Sequence, residues 1–87
     1  MKEVKTKSGF ECSISEDVLD DWDLLEAFKK IDSGDYAAVI DAAPLFLGNE
    51  QFDSLKKHLR DDKGKLKASL VVSEISEIID LCGALKN

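Results

Sequence analysis

The stretch from residue 68 to residue 83 places the strongest constraint on this 87-residue chain. Taken at 100° per residue, Val71, Ile75, Ile78, Cys82 and Leu85 form a central stripe. Leu70 and Leu81 flank it on one edge, Val72 and Ile79 on the other. The apolar arc spans roughly 200°, about twice the width a surface helix needs to face one core. Such a helix either runs through the middle of a bundle and touches neighbours on both sides, or keeps one edge for another protein chain. The two readings are compatible.

The rest of the chain supplies the neighbours. Over residues 3–14, Phe10, Cys12 and Ile14 alternate with Glu11 and Ser13. Val4 and Thr6 supply an opposing strand and Ser8-Gly9 the turn, which predicts a β-hairpin. An isolated hairpin is marginal in water, so its apolar face must rest on helices. Residues 16–32 have a helical pattern with Ser15 as N-cap. Asp21 would interrupt the apolar face of one continuous helix, so the reading is a short turn at 16–19 and a restart capped by Asp20. Leu24, Leu25, Phe28 and Ile31 then share one side, and Gly34 suits a left-handed cap. A helix over 35–47, capped by Asp35, presents Tyr36, Val39, Ile40, Ala43, Phe46 and Leu47 as its apolar positions. Pro44 predicts a kink or break near Ala43. Gly48 closes that segment, and Asn49 caps a helix over 50–61 with Phe52, Leu55 and Leu59 inward. The fold class is therefore mainly α (α+β): one domain, residues 1–87, with a hairpin at about 3–14 and a compact bundle of about four helices (16–32, 35–47, 50–61, 68–83).

Charge narrows the function. Residues 11–53 hold twelve acids against Lys29 and Lys30. Residues 54–67 reverse the balance, with six bases against Asp61 and Asp62. The long acidic block repels phosphate, so general binding to nucleic acid is not expected. No run of about 18 apolar residues is present, so no membrane span is expected. The first seven residues carry charge without an apolar stretch behind them, which excludes a secretory signal. With two Cys and no CxxC, both thiols are expected to be free in a reducing cytoplasm.

No constellation points to catalysis or to a metal. His58, the single imidazole, lies in the basic stretch of an exposed helix and lacks a positioned partner in a cleft. One His and two dispersed Cys cannot supply the three or four ligands of a zinc site. Glu16, Asp17, Asp20, Asp21 and Asp23 lack the spacing of a calcium loop, and capping plus a solvated helix face explain them. Cys12 and Cys82 lie on inward faces and behave as small hydrophobes. Trp22 is read as core, with partner anchoring as its alternative. Lys56, Lys57, Arg60, Lys63, Lys65 and Lys67 form either a solvated face or a docking patch for an acidic surface. A helix–turn–helix reading of that segment is the alternative.

Several segments carry a family resemblance. Ser8-Gly9-Phe10-Glu11 is followed by Asp17-Val18-Leu19-Asp20-Asp21-Trp22-Asp23-Leu24-Leu25-Glu26. Then come Leu47-Gly48-Asn49-Glu50-Gln51 and Leu55-Lys56-Lys57-His58-Leu59-Arg60. In this order, and with an apolar last helix, the chain resembles the small tail assembly chaperones of long-tailed, siphovirus-type bacteriophages and prophages. It departs from them at Asp61-Asp62-Lys63-Gly64, where a tighter Asp-Gly turn is expected. The resemblance implies a non-enzymatic protein without cofactor that coats the tape measure protein and keeps it soluble until tail-tube subunits displace it.

The expected partners are thus the tape measure protein, the tail-tube protein and, as a homo-oligomer, further copies of the chain. Contact is expected through Leu70, Leu81 and Leu85 on the last helix, with Leu45 and Phe46 beside Pro44. A small regulatory or nucleic-acid-binding protein acting through residues 56–67 is the competing expectation.

Overall fold

Val4 faces Cys12 across the antiparallel pair that opens the chain. A computed structural model, describing residues 2–83, sets β1 (Lys2–Lys5) against β2 (Glu11–Ile14) and follows them with four helices. These are α1 (Glu16–Leu19), α2 (Trp22–Asp32), α3 (Ala38–Leu59) and α4 (Ala68–Cys82). The arrangement is α+β, as the alternation and the helical periods predict. The hairpin turn closes through Thr6 N–H to Phe10 O at 2.9 Å and Gly9 N–H to Thr6 O at 3.0 Å. Val4, Thr6, Phe10, Cys12 and Ile14 are buried, so one face of the hairpin rests on the helices.

Two caps divide residues 15–32. Ser15 Oγ accepts from Asp17 N–H at 3.2 Å and starts α1. The restart is capped by Asp21, whose Oδ1 accepts from Leu24 N–H at 3.1 Å, and not by the expected Asp20. Asp20 instead ends α1. Capping removes Asp21 from the apolar face and so resolves the conflict that its position creates in a continuous helix. Leu24, Phe28 and Ile31 are buried and Leu25 is half-buried, so the inward side of α2 is as predicted.

The Pro44 expectation fails. The backbone remains helical through Ala43 and Pro44 and breaks at Gly48, where φ is 80° and ψ 158°. Proline removes only the bond to the Ile40 carbonyl, one turn back, and Ile40 itself is an exposed residue. Gly48 takes a conformation that is essentially restricted to glycine. Thus α3 contains the two helical segments expected at 35–47 and 50–61, which meet in an abrupt bend at Gly48, the residue expected to close the first. It begins at Ala38, three residues later than expected, after a tight turn in which Ala38 N–H donates to Asp35 O at 3.1 Å.

The core lies where α2, α3, α4 and the hairpin meet. Its largest sealed side chains are Phe28, Phe46, Ile14, Leu24, Leu55 and Ile75. Phe28 and Phe46 pack edge to face, with ring centroids 5.0 Å apart and an interplanar angle of 84°. Gly83 ends α4 in the left-handed conformation, and Lys2 Nζ donates to the Cys82 carbonyl at 2.6 Å. A cation on a terminal carbonyl suits the negative end of the helix dipole. No helix among the described residues is long and apolar enough to cross a membrane.

Candidate functional site

Besides the Lys2–Cys82 bond, three residue pairs tie the hairpin to the helices: Gln51 with Ser13, His58 with Ser8 and Glu77 with Lys7. Of these, Gln51, His58 and Ser8 lie in segments that carry the family resemblance. Gln51 Oε1 accepts from Ser13 N–H at 2.7 Å, and its Nε2 donates to Ser13 O at 2.9 Å. The same Nε2 donates to Leu47 O at 2.7 Å, a carbonyl beside the Gly48 break. His58 Nε2 lies 3.1 Å from Ser8 O and 3.2 Å from Ser8 Oγ, and its ring tilts against Phe10 at 5.7 Å. Glu77 on α4 accepts from Lys7 N–H at 2.8 Å. His58 therefore braces the hairpin turn.

No cluster of three or more potential metal ligands occurs among the described residues. Cys12 and Cys82 are free and buried. Burial, with Cys82, Glu3 and Glu74 adding negative charge nearby, pushes the Cys12 thiol from 9.0 up to about 11. Burial also raises Cys82, with Lys2 opposing it. A thiol that resists ionisation is a poor nucleophile.

The residues expected to meet a partner do not form one surface. Leu45, Leu70 and Leu81 are exposed, but Phe46 is only 2% exposed and belongs to the core. The expectation for Phe46 is corrected because the helix continues through Pro44 and turns Phe46 onto Phe28. Leu85 lies outside the described residues. Leu70 and Leu81 are eleven positions apart, roughly 16 Å along the helix at 1.5 Å per residue. Glu74 and Glu77 lie between them on that edge, the first buried and the second bound to Lys7. On the other edge Ile79 is buried and Val72 half-buried. Trp22, read as core, is 70% exposed at the start of α2, with its indole N–H donated to Glu26.

Open apolar surface gathers elsewhere. A groove of about 420 Å³ lies between the start of α3 and the start of α4, with Tyr36, Val39 and Ile40 on one wall and Leu66, Val71 and Val72 on the other. Tyr36 and Ile40 are largely exposed, while Val39 is buried at the floor. In the sequence Tyr36 and Ile40 are grouped with Val39, Ala43, Phe46 and Leu47 as the apolar positions of one helix, which does not separate the exposed from the buried. The available signal was Ala38, Ala42 and Ala43, all three buried. Small residues let helices approach closely, and they turn α3 so that its alanine side faces inward and Ile40 faces out.

The basic segment is partly committed within the chain. Lys56 pairs with Asp53 at 3.2 Å and its ammonium lies 4.8 Å over the Phe52 ring. Arg60 donates to Gly64 O at 2.9 Å across the turn. Asp61 Oδ1 accepts from Lys63 N–H and Lys65 N–H, each at 2.9 Å, and organises the same turn. Lys57 is exposed.

No family model matches the chain, and the searches of curated proteins and of solved structures found no match either.

Proposed function

We propose that this chain is a non-enzymatic tail assembly chaperone of a phage or prophage, which binds the tape measure protein and keeps it soluble during tail morphogenesis. The observation that carries the reading is the apolar groove between α3 and α4, left open in a chain with a formal net charge of −6. A long helical client exposes apolar stripes that aggregate in water. A groove bounded by two helices accepts the apolar face of a third. The acidic surface of the carrier then keeps the complex soluble. The client is covered by many copies along its length, each held weakly, so that tail-tube subunits can displace them. The site of action is the bacterial host cytoplasm, where the client is made.

The contact residues in this reading are Tyr36, Ile40, Leu66 and Val72, and the leucines Leu70 and Leu81 are separate surface positions. The test is co-expression with a tape measure protein from the same phage or prophage. The proposal expects soluble client with the wild-type chain, and client in the pellet with Ile40→Asp. Equal solubility of the client with and without the wild-type chain would refute it.

A further inference from the structure

The hairpin has two outer edges, and they are treated differently. Thr6 N–H donates to Phe10 O, so in the antiparallel register Thr6–Phe10, Val4–Cys12 and Lys2–Ile14 are the pairs that face each other through backbone bonds. The residues between them turn their N–H and C=O outward. On β2 these are the groups of Ser13, and Gln51 takes both. On β1 they are the groups of Glu3 and Lys5, which have no hydrogen-bond partner among the described residues. The next outward N–H along the chain, that of Lys7, is held by Glu77, which bounds the open stretch. Glu3 and Lys5 are exposed and Val4 between them is buried, so the two charged side chains share the outer face of the sheet. Glu3 Oε1 accepts from Ser13 Oγ at 2.9 Å, which holds its carboxylate on that face.

From this geometry we infer that β1 is a self-association edge: it pairs antiparallel with β1 of a second copy about a two-fold axis at Val4, joining the two hairpins into one sheet. Charge sets the register. An axis at Val4 places Glu3 opposite Lys5 of the second copy, and Lys5 opposite Glu3 of the second copy. Each such pair exchanges its outward backbone bonds and sets opposite charges side by side on one face. An axis at Glu3 would set two carboxylates against each other, and an axis at Lys5 two ammonium groups, both unfavourable. The edge therefore complements itself in one register, which is the requirement of a symmetric dimer. Open backbone groups on an edge strand supply the pairing. The edge shares no residue with the groove between α3 and α4, so self-pairing and client binding are independent.

The test is sedimentation equilibrium of the full chain at concentrations up to the millimolar range, with circular dichroism to verify the fold of each variant. The wild type is expected to show a concentration-dependent monomer–dimer equilibrium. Glu3→Lys and Lys5→Glu each set like charges opposite one another at both contacts of the two-fold, and each is expected to weaken the dimer on the order of tenfold. The two substitutions move the net charge in opposite directions, so net charge alone cannot weaken both. An equimolar mixture of the two single variants sets carboxylates against ammonium groups again and is expected to recover a heterodimer of near wild-type affinity. The exchange variant Glu3→Lys/Lys5→Glu restores opposite pairing within one sequence and is expected to dimerise like the wild type. With it, either single variant suffices should the other fold poorly. A wild type that stays monomeric throughout would overturn the inference. So would a dimer that the single variants leave unchanged, because another face, such as the groove, would then hold it. Weakened single variants without recovery in the mixture or in the exchange variant would overturn it as well.

Discussion

Gln51 pairs with both backbone groups of Ser13, accepting from its N–H at 2.7 Å and donating to its carbonyl at 2.9 Å. One side-chain amide thus stands in for a third strand on the free edge of β2. An edge strand with unmet backbone groups invites pairing with other chains, and Gln51 closes that edge. The geometry depends on Gly48. Its φ of 80° and ψ of 158° bend α3 so that Gln51 faces the hairpin while still reaching Leu47 O.

Gln51→Ala should therefore destabilise the fold by about 1–3 kcal/mol, since it leaves Ser13 and Leu47 with unpaired polar groups. Gly48→Ala should cost about 1–3 kcal/mol through backbone strain alone, because a methyl group at that position meets nothing within 4 Å. Urea denaturation followed by circular dichroism measures both. A neutral Gly48→Ala would mean that the bend relaxes without cost.

Leu45 and Phe46 are adjacent in sequence and opposite in role. Phe46→Ala removes the edge-to-face partner of Phe28 and should cost about 3–5 kcal/mol. Leu45→Ser, at an exposed position, should change stability by no more than about 0.5 kcal/mol. Thermal melts of the two variants decide between this assignment and one in which both residues serve a partner.

The contrast shows what was legible in the sequence. Hairpin alternation, the Ser15 cap and the inward stripe of α4 follow from local chemistry, and each is present in the structure. The exposure of Tyr36 and Ile40 depends on how far α3 rotates about its own axis. That rotation is set by close packing at Ala38, Ala42 and Ala43, residues whose hydrophobicity carries little weight in a periodicity count. Pro44 misled for a similar reason: whether a helix tolerates the lost hydrogen bond depends on its surroundings, and the backbone stays helical there and breaks at Gly48. Trp22 is a third case. A large apolar side chain is a strong core signal, yet as the first residue of α2 it falls outside the stripe formed by Leu24, Phe28 and Ile31.

Glu74 is 7% exposed, and its Oε2 has no hydrogen-bond partner among the described residues. Burying such an oxygen costs free energy that a methionine of similar length would not incur. Glu74→Met should raise stability by about 1 kcal/mol, measured as a higher urea midpoint at unchanged slope. A lower midpoint would show that the carboxylate has a compensating partner in solution.

The Cys12 thiol gives a pH signature. The folded chain holds its proton more tightly than the unfolded one, because burial raises it from 9.0 to about 11. This stabilisation is fully present below about pH 9 and is lost as pH rises towards 11. Stability should decline across that window, and less steeply in Cys12→Ala, which lacks the group. Iodoacetamide should modify Cys12 slowly at pH 8 in the folded protein and quickly in urea. Matching slopes for the two proteins between pH 9 and pH 11 would contradict the assignment.

The central claim is that the groove between α3 and α4 receives the apolar face of a client helix. The most direct measurement is a nuclear magnetic resonance titration of the isotope-labelled chain with helical segments of the tape measure protein. The account predicts that amide and methyl shifts concentrate at Tyr36, Ile40, Leu66, Val71 and Val72, and that Ile40→Asp abolishes them while the melting temperature holds. Shifts confined to Leu45, Leu70 and Leu81, with the groove silent, would contradict it.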